Sequence, residues 1–118
     1  MTEQTRRSHP RFPLFADVLV IPRDGAHERF WAATENISMG GMFLRATCAL
    51  PVDTELMAKI VPPESPTVHA TARVIHVKQG EGFGCCIVEL APRSGRRLAR
   101  WLGRSGGLPP VAGTIESN

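Results

Sequence analysis

Apolar and polar residues alternate with a period of two along most of the chain and switch to a helical period once, near its end. Residues 16–21 are rich in β-branched side chains, and residues 29–35 set Phe30 and Ala32 on one face against Trp31 and Ala33 on the other. Both runs predict strands. Four more follow at 42–46, 55–61, 67–77 and 83–90, with Leu56, Ala58 and Ile60 sharing a face in the fourth and Phe83, Cys85 and Ile87 in phase in the last. The longest run alternates Val68, Ala70, Ala72 and Val74, then puts Ile75 and Val77 on the opposite face. A β-bulge or sharp bend near Val74 reconciles its two halves. Turn chemistry separates the strands: Pro22-Arg23-Asp24-Gly25, Leu50-Pro51-Val52-Asp53, the proline-rich 62–66, and Gln79-Gly80-Glu81-Gly82. After Pro92, which suits a first helical position, Leu98, Trp101 and Leu102 recur at helical spacing. A helix over 92–103, anchored by Trp101, is expected to cap the strands. The pattern is all-β with one C-terminal helix, a small barrel or sandwich.

The length of 118 residues fits one domain of modest core. Net charge is +3 and the pI about 9.1, mildly basic. The basic residues cluster, with Arg6, Arg7 and Arg11 at one end and Arg93, Arg96, Arg97, Arg100 and Arg104 near the other. Clustered arginine suits a phosphate-bearing partner. Pro10 and Pro13 bias the polar segment before the first strand toward extended conformations, and Phe12 and Leu14 can tack it onto the body. The Gly- and Pro-rich segment 105–118 reads as a flexible tail. No apolar run reaches the ~20 residues of a membrane span, and no secretory signal opens the chain, so a cytoplasmic protein is expected. The three cysteines lack metal-type spacing and are expected to be reduced, one in the core and the others at or near the surface. His9, His27, His69 and His76 are scattered, and neither a nucleophile–base signature nor a phosphate loop occurs. The expectation is a binding module, not an enzyme, with no cofactor and no metal.

Two polar clusters carry the candidate chemistry. Arg7-Ser8-His9-Pro10-Arg11 sets two guanidinium groups four residues apart, and Asn36-Ile37-Ser38-Met39-Gly40-Gly41 forms a polar turn between the second and third strands. In order and context they resemble the RxxxR and (D/N)xSxxG motifs of the PilZ family of cyclic di-GMP receptors. Arg7 and Arg11 match the first; Asn36, Ser38 and Gly41 match the second. The resemblance covers roughly residues 6 to 102 and implies a six-stranded antiparallel PilZ-type β-barrel with a C-terminal helix. It divides the chain into a PilZ-like domain at 1–104 (arm 1–15, barrel 16–90, helix 92–103) and the tail 105–118.

The implied ligand is cyclic di-GMP. Guanidinium forks bind phosphate bidentately, satisfy a guanine edge, or stack on a purine, so Arg7 and Arg11 suit any of these contacts. Asn36 can accept from guanine N–H groups, though Asp, the commoner family residue, has two acceptor oxygens for that edge. Ser38 offers a hydroxyl to phosphate or base, and Gly40 and Gly41 let the ligand approach the backbone. Arg6, directly before the first motif, resembles the basic residue of family members that take an intercalated pair of ligands. The resemblance implies a single-domain receptor whose arm orders on binding and which signals through an effector protein. The alternative is a nucleotide-independent PilZ-like interaction module in bacterial motility or surface-structure assembly. A nucleic-acid-binding barrel is disfavoured, because the chain has no tyrosine and its basic residues sit at the ends.

Overall fold

In a computed structural model, which describes residues 15–105, the alternating runs become β1 (Asp17–Pro22), β2 (Phe30–Ile37), β3 (Gly41–Arg45), β4 (Glu55–Val61), β5 (Val68–Lys78) and β6 (Gly82–Leu90), followed by α1 (Ser94–Ser105). All neighbours pair antiparallel in the order β1-β2-β3-β6-β5-β4, and β4 closes back on β1. Closure satisfies both edges of every strand. The inward phase of each strand forms one core: Val18 and Val20, Met42 and Leu44, Leu56, Ala58 and Ile60, Val68, Ala72 and Val74, Phe83 and Cys85.

Two irregularities adjust β5 to β6, between Thr71 and Ala72 and between Val74 and His76. The second lies where the change of phase in the sequence required it. It leaves Ile75 as the extra residue and sets Val77 opposite Phe83, back on the core-facing side. Ile75 and Val77 are nevertheless exposed.

The helix plugs one end of the barrel with Leu98, Trp101 and Leu102, all buried. It begins at Ser94, two residues later than the proline signal suggests. Ser94 N–H donates to the Ala91 carbonyl (2.8 Å) and its Oγ accepts from His69 N–H (2.8 Å), so Pro92 and Arg93 stay in a turn that ties the helix to the start of β5. Arg97 donates to the Thr67 carbonyl (2.9 Å) and Arg104 to the Ser65 hydroxyl, holding α1 against the β4–β5 connection. The pairing places the start of β1, the β2–β3 turn, the β4–β5 connection and the end of β6 at this same end. Among the cysteines, Cys85 is buried, Cys86 half-buried and Cys48 exposed, all with free thiols.

Candidate functional site

The turn between β2 and β3 is built by Ser38. Its N–H donates to the Gly41 carbonyl (2.8 Å), and its Oγ accepts from the N–H groups of Gly40 (3.1 Å) and Gly41 (3.2 Å). The side chain is only 3% exposed. The hydroxyl expected to face a phosphate or base is thus turned into the backbone, where it replaces water for donors that a tight turn leaves unpaired. Gly40 fastens the turn to the barrel by accepting from Ile87 N–H (2.9 Å). At Gly41 β6 comes close: a Cβ there would lie 2.6 Å from the Cys85 carbonyl oxygen. On the side where a side chain would project, Gly41 is thus packed against the neighbouring strand.

Asn36 follows an irregularity between Thr34 and Asn36 that shifts the β2–β3 register. It is half-buried and lies opposite Phe43. From there a row runs across the outer face, Asn36 to Phe43 to Gly84 to His76. Phe43 is only 7% exposed although it points away from the core. The His76 ring lies against it at 5.9 Å between centroids and an interplanar angle of 33°. Gly84 makes this possible, since a Cβ there would come within 2.5 Å of the imidazole. A parallel row carries Gly41, Cys86, Arg73 and Glu55, with Arg73 and Glu55 paired at 3.5 Å.

The root of the arm is fixed beside this face. Thr34, fully buried, accepts from Ala16 N–H through Oγ1 (2.9 Å), and its own N–H donates to the Ala16 carbonyl (2.9 Å). The structure therefore brings Asn36, Ser38, Gly40 and Gly41 together at the barrel end where the arm joins. Arg6, Arg7 and Arg11, like Phe12 and Leu14, lie outside the described residues. Thr34, Phe43, Gly84 and His76 escaped the sequence reading. Thr34 was visible as a polar residue in the inward phase of β2, and Gly84 as a glycine inside a strand, which marks close approach. Nothing in the sequence paired Phe43 with His76.

A shallow depression of about 320 Å³, lined by Phe15, Ala16, Asp17, Ala33, Val61, Pro62 and Pro63, lies beside the arm root and includes no motif residue. Among the described residues no group of three or more His, Cys, Asp or Glu is placed to hold a metal ion.

The family model of the PilZ domain matches residues 5–104. Two solved structures share the fold. One is the Bacillus subtilis inhibitor of motility (MotI/DgrA), at TM-score 0.68 and 19% identity over 84% of this chain. This chain spans 50% of the length of that one. The other is the PilZ domain of CeSA from a cellulose-synthesizing bacterium, at TM-score 0.59 and 22% identity, covering 77% of this chain and 92% of that domain. No curated protein matches.

Proposed function

The chain belongs to the PilZ domain family, and from that premise we propose that it is a cyclic di-GMP receptor that closes its N-terminal arginine arm over a ligand held at the Asn36–Gly41 turn. The observation that carries this reading is the hydrogen-bonded pair of Ala16 and Thr34, two residues before Asn36, which roots the arm beside the turn. Arg11 lies five positions before Ala16 and Arg7 nine. At ~3.3 Å per extended residue, both guanidinium groups are within reach of the turn. In this mechanism Asn36 reads a guanine edge. Ser38 acts by holding Gly40 and Gly41 in shape. The arginines clamp phosphate and purine and pass from disorder to order. The ordered arm then changes which surface an effector protein meets, and no bond is made or broken, so the protein acts as an adaptor and not as an enzyme.

Calorimetric titration with cyclic di-GMP tests this. A charge-assisted hydrogen bond contributes ~1.5–3 kcal/mol, so Arg7→Ala and Arg11→Ala should each weaken binding about ten- to a hundredfold with an unchanged melting temperature. Unchanged affinity in both variants rules out the site. The internal use of the Ser38 hydroxyl also suits a turn that is purely structural, as the nucleotide-independent interaction module requires. Absence of binding heat across the titration would select that second reading.

A further inference from the structure

The arginines of α1 form a face that the rest of the fold does not answer. Residues 15–92 hold six Lys or Arg against nine Asp or Glu, whereas residues 93–105 hold five Arg and no acid. At ~100° per residue, the four arginines within α1, Arg96, Arg97, Arg100 and Arg104, fall within about a third of the helix circumference, turned away from Leu98, Trp101 and Leu102, and Arg93 lies in the turn just before the first helical residue. Arg97 and Arg104 have internal partners in Thr67 and Ser65. Arg93, Arg96 and Arg100 are exposed, and among the described residues none of them pairs with an acid. Within α1, Arg96 with Arg100 and Arg100 with Arg104 stand one turn apart, and such like-charge pairs oppose helix formation. Packing of the apolar side offsets this repulsion, and an anionic partner would remove it.

The chemistry of the exposed side decides the kind of partner. It offers only guanidinium groups, with Ala99 and Gly103 between them. No aromatic or branched side chain is available there to seat in a protein pocket or to stack on a nucleic-acid base. Trp101 and both leucines are committed to the barrel. The acids of residues 15–92 are spread over both ends of the barrel, with Asp17, Glu35, Glu64 and Glu89 at the end that α1 closes, so the all-basic face of the helix is a local patch that attracts an extended anionic plane. Guanidinium groups take phosphate oxygens in pairs, and the ~12 Å of helix from Arg96 to Arg104, with Arg93 in the turn before it, is long enough to meet more than one headgroup. We propose that the outer face of α1 is an electrostatic docking surface for an anionic phospholipid bilayer, reversible and without insertion into the hydrocarbon.

The test is co-sedimentation of the full chain with phosphatidylcholine vesicles, with and without phosphatidylglycerol. Binding is expected only to the anionic vesicles, weakening as salt rises. The triple variant Arg93→Gln, Arg96→Gln, Arg100→Gln should bind about a hundredfold less, with its circular dichroism and its cyclic di-GMP titration unchanged. The nucleotide readout separates this proposal from the previous one. If the triple variant unfolds, the single exposed substitution Arg96→Gln must still show a partial loss. Arg6→Ala, Arg7→Ala and Arg11→Ala together should leave vesicle binding in place. The proposal is overturned by wild-type protein that ignores anionic vesicles, by equal binding to neutral ones, or by binding that survives in the helix variants. It is also overturned by binding that depends on the arm, or by a preference for duplex DNA or polyglutamate over the vesicles.

Discussion

Two glycines on neighbouring strands separate two kinds of close approach. At Gly41 an added Cβ meets backbone, the Cys85 carbonyl oxygen at 2.6 Å, and neither strand can move without breaking the β3–β6 ladder. Gly41→Ala should therefore destabilise the protein by roughly 1–3 kcal/mol, as overpacking does, read from a urea midpoint. At Gly84 the obstacle is the His76 ring, the end of a side chain that can rotate. Gly84→Ala should cost clearly less, and the ring should leave Phe43. Equal losses in the two variants would contradict this distinction. The cysteines differ in the same residue-level way. Burial, with a smaller contribution from neighbouring Cys86, raises the Cys85 thiol from 9.0 to about 12. Its neutral form is thus favoured in the fold: the contribution to stability is complete below the unfolded value near 9 and disappears as the pH rises toward 12. Iodoacetamide at mildly alkaline pH should label exposed Cys48 and spare Cys85 until the chain is unfolded, and Cys85→Ala should flatten the alkaline loss of stability.

Among the elements, α1 closes the end of the barrel that β-strands alone leave open, with its three buried apolar side chains in the core. Trp101→Ala removes a large buried ring and should cost ~3–5 kcal/mol, and Leu98→Ala ~2–5 kcal/mol, measured by thermal or denaturant unfolding. Arg97 connects this helix to Thr67, just before β5, and Ser94 connects it to His69 within β5. Helix and barrel should accordingly melt in one transition. A separate low-temperature loss of helical signal would show that the plug is independent.

For the whole molecule, the arm root, the motif turn and the basic helix share one end of the barrel, so the ligand and the membrane surface proposed above would both be met from that side. Stoichiometry is decided at this scale. A stacked pair of cyclic di-GMP molecules brings four phosphates together, and a third guanidinium at Arg6 offsets that charge and can stack on the outer guanine. Calorimetry with a measured active fraction should give two ligands per chain, falling to one in Arg6→Leu. A ratio of one for the natural chain, or a ratio of two that survives the substitution, would refute the role given to Arg6.

The sequence by itself determined the six strands and the helix, because a period of two and a period of 3.6 are local consequences of which face each residue must bury. The 55–61 run shows this, since its bounds in the structure are the ones that Leu56, Ala58 and Ile60 imply. The mismatch at Val74 likewise located a bulge before any partner strand was known. The order of the motifs pointed to the family, which the match over residues 5–104 shows, and the ligand site stays a proposal, with Arg6, Arg7 and Arg11 outside the described residues. What Ser38 and Gly41 do in the fold was decided by tertiary structure. Whether a hydroxyl faces outward or caps its own turn depends on which backbone donors the turn leaves unpaired, and whether a glycine makes room for a ligand or a strand depends on what packs across from it. His76 over Phe43 and Thr34 against Ala16 likewise join residues 33 and 18 positions apart in the chain. No local pattern encodes such pairs, because only barrel closure brings those strands and the root of the arm into register.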